Sequence, residues 1–203
     1  MKLKNPMQKP KPQKPVERKP RKVDADYLHR AALYYLQRYA ATRVRLREVL
    51  LRKVARRQLL KTVQATEVQI WIPEIEKLLD RYEASGLLND QALAETRVVN
   101  MRAAGRSARD ITNKLRQKGF APAMIENTLQ ENADDGGITD VEAIQKFMQK
   151  KKLGPFRRND KVMDEKTVQK EIGTLLRAGF NYQLVRDALS MQQAAEIDLC
   201  EDP

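Results

Sequence analysis

The sequence is poor in the residues that build metal sites and disulfide frameworks. Its 203 residues include one cysteine, Cys200, and one histidine, His29. A single cysteine cannot form an internal disulfide, and with a single histidine it cannot complete a zinc site, so both kinds of framework are excluded. We interpret Cys200 as an incidental thiol and His29 as an ordinary surface or half-buried residue. The sequence predicts no metal and no cofactor.

Catalytic constellations are also missing. Only eight glycines occur, and the adjacent pair Gly136 and Gly137 lies in an Asn/Asp-rich linker instead of a phosphate-binding loop. Asp134, Asp135 and Asp140 could contact Mg²⁺, but a solvated turn explains them more simply. An enzyme is therefore not expected, and binding is the predicted mode of action.

Long apolar runs are absent as well. No stretch approaches the roughly 18 residues that a membrane span needs, and residues 1–22 have no apolar core of a secretory signal. The expectation is a cytoplasmic monomer without a membrane partner.

Positive charge is abundant but unevenly placed. The net charge is +12 overall, +8 in residues 1–23, +7 in residues 24–62 and −3 in the remainder. A polyanion or an acidic protein surface is the natural partner for the first third of the chain.

Both ends of the chain differ from its middle. Residues 1–23 combine five prolines with nine Lys/Arg, a composition that predicts a disordered basic arm; a merely solubilising tail is the alternative. Residues 196–203 are acidic and predict a frayed tail.

The middle of the chain is helical in pattern. In the segment 67–83, for example, Ile72, Ile75, Leu78, Leu79 and Tyr82 recur at three- and four-residue spacing. Sustained two-residue alternation does not occur. The sequence therefore predicts an all-α protein.

A repeated unit gives the predicted architecture. Gly119-Phe120 and Gly179-Phe180 lie sixty residues apart, each followed by an apolar residue six positions after the glycine. The glycines are suited to end one helix in the left-handed conformation. Each phenylalanine then precedes the next N-cap and forms a hydrophobic staple with Ile125 or Val185.

A looser third copy lies upstream, with Val54 in place of the glycine and about fifteen extra residues between its helices. We therefore predict three tandem three-helix repeats in an elongated, curved array. The predicted segments are the arm at 1–23, repeats at 24–88, 89–135 and 136–195, and the tail at 196–203.

Basic side chains supply the candidate contact residues. Arginine dominates the predicted second helix, and Arg45, Arg52 and Arg56 share one face of it. Leu46, Val49 and Leu50 are expected on the opposite, apolar side. A solvated charged face is the alternative interpretation. The candidates for contact with a partner are Arg43, Arg45, Arg47, Arg52, Arg56, Arg57, Lys118, Lys151, Arg157 and Arg158. Tyr34, Tyr35 and Tyr39 are interpreted as core residues in preference to a stacking surface for nucleic acid bases.

The segment from Leu78 to Asp90, which reads LLDRYEASGLLND, resembles the central signature of RecX, the bacterial regulator of RecA. The resemblance continues through Gly105-Arg106 and the unit from Ile111 to Leu129, and it extends over roughly residues 27–190. Departures from the pattern are the insert near residues 57–68, Val54 and the basic arm.

The RecX resemblance implies a helical-repeat protein of DNA repair, recombination and the SOS response. It implies binding to RecA on single-stranded DNA and inhibition of the ATPase, recombinase and coprotease activities of RecA. It implies no catalytic residue. A helical module that binds DNA directly, without RecA, remains the alternative.

Overall fold

The computed structural model describes residues 23–59, 65–157 and 164–198. Within these ranges the chain forms nine α-helices, one turn of 3-10 helix at Gly154–Phe156 and no strand, so the all-α prediction is confirmed. The arm up to residue 22 and residues 199–203 of the predicted tail lie outside the described residues. The helices are α1 (Ala25–Leu36), α2 (Arg43–Leu59), α3 (Ala65–Ala84), α4 (Asp90–Ala103), α5 (Ala108–Gln117), α6 (Pro122–Asp134), α7 (Asp140–Lys151), α8 (Glu165–Arg177) and α9 (Tyr182–Asp198).

Buried hydrophobic side chains gather in three clusters that follow the order of the chain. The first cluster draws on α1, α2 and α3 together with Leu88, the second on α4, α5 and α6, and the third on α7, α8 and α9. Three small cores of this kind are consistent with three stacked helical triplets. The exact repeat boundaries and the elongated, curved shape stay predictions.

The Gly-Phe units end and restart helices as their sequence indicates. Gly119 and Gly179 have φ angles of +85° and +91°. The N–H of Phe120 donates to the carbonyl of Leu115 at 3.2 Å. This is the hydrogen bond of a Schellman motif that spans the larger number of residues. Phe120 and Ile125 are both buried in the second cluster, as are Phe180 and Val185 in the third. The hydrophobic staples are therefore in place.

The first triplet absorbs its insertion by lengthening two helices. α2 and α3 have 17 and 20 residues, whereas their counterparts α5 and α6 have 10 and 13. Val54 lies inside α2 with no exposed surface, so α2 passes the point at which α5 stops at Gly119. The missing glycine and the insertion thus have one structural explanation.

Successive triplets meet through the cap of their middle helix. The Thr42 hydroxyl accepts the N–H of Arg45 at 3.1 Å, which caps α2, and donates to the Lys118 carbonyl at the end of α5 at 2.9 Å. Ser107 does the same one triplet later, since it accepts the N–H of Asp110 and donates to the Ala178 carbonyl at 2.7 Å. One hydroxyl thereby satisfies a helix start and the neighbouring helix end.

A second bond recurs beside each hydroxyl. The carboxylate of Asp90, the first residue of α4, accepts the N–H of Arg43, the first residue of α2, at 3.1 Å. The carboxylate of Asp140, the first residue of α7, accepts the N–H of Ala108, the first residue of α5, at 2.8 Å. Because both junctions use equivalent atoms, the triplets stack in the same register.

Ser107 forms only part of a capping box. The hydroxyl caps the helix, but the Asp110 carboxylate pairs with Arg106 and Lys114 and does not return to the Ser107 backbone. Aspartate is one methylene shorter than the glutamate usual at this position, and the two neighbouring cations offer it better partners.

A buried ion pair closes the loop after α7. The Arg157 guanidinium makes a two-point contact with the Glu171 carboxylate, at 3.0 and 2.7 Å, and the Gly154 N–H also donates to Glu171. The two side chains are only 8% and 7% exposed. Such a pair fixes local geometry because breaking a buried ion pair is costly.

Replacing Glu171 with glutamine should therefore destabilise the fold by about 3–5 kcal/mol, the usual cost of removing one charge from a buried ion pair. Chemical denaturation of the variant beside the exposed-site control Glu126→Gln measures this cost. Equal denaturation midpoints for the two variants would show that the pair contributes nothing.

Candidate basic interface

A basic groove lies where the first triplet meets the second. Its volume is about 970 Å³, and its walls come from the end of α1, one face of α2, α4 and the end of α5. Among the described residues, no carboxylate lines it. Seven cations do so: Arg38, Arg45, Arg52, Lys53, Arg56, Arg97 and Lys118.

The structure brings four of the ten predicted contact residues together in this basic groove. Arg45, Arg52 and Arg56 line one wall, as their spacing on α2 predicts, and Lys118 faces them from the end of α5. Val49 was expected on the apolar side of α2 but lines the groove, half-buried, between the arginines. Its aliphatic side chain gives the floor a hydrophobic patch.

Arg43 and Arg47 point to the opposite side of α2 and pair with α3. Arg43 contacts Glu76 and Asp80 at 2.8 Å each and Glu83 at 2.6 Å, and Arg47 also pairs with Glu76. The hydrogen bond from Arg47 lowers the pKa of Glu76 below its usual value. These two arginines hold α2 against α3, and their charge is already matched within the chain.

The other four candidates lie elsewhere. The Arg57 guanidinium lies over the Tyr27 ring, 5.0 Å from its centroid, Arg157 is buried against Glu171, and Lys151 is exposed at the end of α7. Arg158 falls outside the described residues.

Arg38, Lys53 and Arg97 also line the basic groove, although none of the three was among the predicted contact residues. Arg97 comes from α4, beyond both α2 and α3 in the chain, and donates to the Ala40 carbonyl at 3.3 Å. Its Nε atom is buried and has no hydrogen-bond partner within the described part of the chain. A single sequence gives no signal for such a long-range approach, which depends on how the triplets stack.

The tyrosines of α1 and of the linker that follows it correct another expectation. Tyr34 and Tyr39 are 54% and 57% exposed, whereas they were expected in the core; Tyr35 does pack against the first cluster. The Tyr35 and Tyr39 ring centroids are 5.0 Å apart, and the Arg38 guanidinium lies 4.1 Å from the Tyr34 centroid. Aromatic faces therefore stand beside the cations, an arrangement that suits planar or apolar ligand groups.

A smaller apolar groove adjoins the basic groove. It measures about 460 Å³ and shares with it the linker from Tyr39 to Ala41, which forms a ridge between the two. Its walls are mainly aliphatic and include Leu36, Leu87 and Leu93, and no described charged residue lines it. The side chain of Leu87 is 48% exposed.

In the part of the chain that the structure describes, no group of three or more His, Cys, Asp or Glu side chains could hold a metal ion. Among the described helices, none combines the length and the apolar character needed to cross a bilayer.

The chain is similar to known proteins over most of its length. The chain is 35% identical to the regulatory protein RecX of Myxococcus xanthus, over 87% of the chain and 91% of the relative. It is 29% identical to the regulatory protein RecX of Agrobacterium fabrum, over 85% of the chain and 86% of that relative. The crystal structure of RecX from Lactobacillus salivarius has a similar fold, with a TM-score of 0.60, 20% identity, and coverage of 84% of this chain and 97% of that one. No protein-family model matches.

Proposed function

Because the chain belongs to the RecX family of regulatory proteins, we propose that it binds RecA and the RecA–DNA filament. Bound there, it inhibits the ATPase, recombinase and coprotease activities of RecA. Family membership carries this proposal, and the basic groove supplies the contact surface. The protein acts by binding in the cytoplasm, as a monomer, and needs no cofactor.

Electrostatics support a partner of opposite charge at the basic groove. Seven cations converge there, and among them only Arg45 has an ion pair with a described carboxylate, that of Glu48 at 2.8 Å. A filament that presents phosphates and acidic side chains would neutralise this charge. Arginine predominates, and its planar guanidinium can bind carboxylate and phosphate oxygens at two points.

Direct binding to DNA is the second candidate function, and the same groove favours it. The exposed ring of Tyr39 stands among the cations of the groove wall, as in single-strand binding grooves, where bases stack on aromatic faces. In that case affinity for naked DNA would fall steeply with added salt.

A pull-down separates the two functions. The full chain is immobilised and offered RecA alone, RecA with single-stranded DNA and ATP, or DNA alone. We expect strongest retention of RecA with DNA and ATP present. Retention of naked DNA with no retention of RecA under any condition would contradict the proposal and support direct DNA binding.

Removing residues 1–23 should slow association without affecting stability. The deletion takes away +8 of charge and no residue of the three hydrophobic clusters named above except the peripheral Val23. The arm would attract an anionic partner through an electrostatic field that salt screens. The truncated protein should therefore associate with the RecA–DNA filament more slowly than the full chain at low salt. At high salt the two association rates should be equal. Stopped-flow association rates measure this effect. Equal rates at low salt would make the arm a passive tail.

A further inference from the structure

We propose that the basic groove and the adjoining apolar groove together form one binding site for an extended acidic peptide that carries a bulky apolar side chain. The carboxylates of the peptide lie on the cations, and its apolar side chain enters the apolar groove. This proposal deepens the proposed function, on which it rests, by assigning the chemistry of the protein segment that the chain recognises.

The basic half of the site selects carboxylates. Arg52, Arg56 and Lys118 face one space with no described acidic residue on its walls. Arg97 holds the ridge through the Ala40 carbonyl, and its Nε lacks a hydrogen-bond partner within the described chain. A ligand with several negative charges along its length is the complement of such a surface.

The apolar half of the site selects a bulky apolar side chain, which a purely acidic ligand lacks. Leu33, Leu36 and Leu93 form aliphatic walls, and Leu87 leaves 48% of its side chain exposed at the rim. Burial of an aliphatic or aromatic side chain there removes apolar surface of both partners from water. The polar groups at the rim, such as Gln37 and Asn89, are uncharged and can bond to a peptide backbone.

The arrangement of the two grooves favours a peptide over a nucleic acid strand. They meet along the ridge from Tyr39 to Ala41, so one extended chain can reach both. A nucleic acid carries a phosphate on every nucleotide and would place negative charge against the uncharged walls of the apolar groove. A peptide can confine its charges to one side of the ridge and present an apolar side chain on the other.

Fluorescence anisotropy on the full chain tests the site with three probes. The first is a short synthetic peptide in which glutamates precede a Leu-Phe pair. The second has the same glutamates and a Ser-Ser pair, and the third is an oligothymidine of similar charge. We expect the Leu-Phe peptide to bind at least about tenfold more tightly than the Ser-Ser peptide, because a buried apolar pair is worth at least that factor.

Matched variants locate the two halves of the site. Leu87→Glu, and Ala92→Phe at an exposed position lining the apolar groove, should weaken the Leu-Phe peptide about tenfold and leave the Ser-Ser peptide unchanged. Val99→Glu is the control, because Val99 is 53% exposed and lines neither groove. Arg52→Glu with Arg56→Glu should weaken both peptides, whereas Arg186→Glu, far along the chain on α9, should weaken neither.

Two outcomes would overturn the proposal. One is equal affinity of the two peptides together with an unchanged affinity of the Leu-Phe peptide for the Ala92→Phe variant. That result would leave only non-specific charge attraction. The other is oligothymidine that binds more tightly than either peptide and is weakened by Ala92→Phe, which makes the site a nucleic acid site. Since these measurements contain no RecA, their failure is distinct from a failure of the RecA proposal.

Discussion

Reversing three charges of the basic groove, with Arg45→Glu, Arg52→Glu and Arg56→Glu together, should raise the protein concentration that half-inhibits RecA's DNA-dependent ATP hydrolysis at least about tenfold. All three side chains line the basic groove, and only Arg45 has a described ion pair, with Glu48. At a desolvated interface, each reversed charge removes an attraction and also adds a repulsion. On an open, solvated face the same changes would have little effect.

The control for this triple carries the same change in net charge elsewhere on the chain. Arg116→Glu, Lys146→Glu and Arg186→Glu lie at exposed positions of α5, α7 and α9 and line neither groove. The control triple should inhibit RecA as the unmodified protein does, and both triples should melt cooperatively. If the two triples lose inhibition equally, overall charge and not the basic groove controls binding.

Affinity for naked single-stranded DNA is measured on the same variants. Under direct DNA binding, the groove triple should lose DNA affinity by at least as large a factor as it loses inhibition. Under the proposed function, inhibition falls by the larger factor, because the groove contacts the filament and not DNA alone.

Gly179→Ala should be among the most destabilising single changes in the chain, costing more than about 2 kcal/mol. Its φ of +91° already disfavours any side chain. A Cβ there would lie 2.6 Å from the Ser107 hydroxyl oxygen, which cannot move away without losing its bonds to Asp110 and Ala178. The substitution therefore strains the end of α8 and separates the second triplet from the third.

Gly136→Ala isolates the backbone contribution to this effect. Gly136 has a φ of +76°, and nothing lies within 4 Å of an added Cβ. The Gly136→Ala substitution should lower the free energy of unfolding by only about 1 kcal/mol, the cost of placing a side chain in the left-handed conformation. Denaturant unfolding of both variants gives the difference, and equal costs would show that the contact with Ser107 does not stabilise the stack.

The helices and their local ends could be predicted from the sequence because the determinants are local. Three- and four-residue spacing identifies the helical segments, and the Gly-Phe pairs identify where α5 and α8 end. The contact between triplets escaped prediction. Nothing in the residues around Thr42 indicates that its hydroxyl bonds to Lys118, 76 positions away.

The candidate interface could be predicted in part for the same reason. The shared face of Arg45, Arg52 and Arg56 follows from helical spacing alone. Arg43 and Arg47 differ from those arginines because they form ion pairs with the acidic face of α3. Helical spacing within α2 does not indicate this pairing, because α3 follows an insertion in the sequence. Arg97 enters the basic groove only because α4 stacks beside the linker at Ala40.

The same stacking explains the exposed tyrosines. An aromatic residue on a helical face is usually a core residue, and Tyr35 follows that rule. Tyr34 and Tyr39 do not, because the first triplet fills its core with leucines and alanines of α1 and leaves these two rings at the surface. Exposure of this kind is decided by packing between helices and not by spacing within one.

The most direct test of the central claim is a titration of the unmodified protein into RecA filaments on single-stranded DNA, with ATP hydrolysis and filament length followed together. We predict that hydrolysis falls and filaments shorten at protein concentrations at or below that of RecA, and that added salt weakens both effects. Hydrolysis and filament length that stay unchanged across the range of salt and protein ratios would contradict the account, however closely the folds agree.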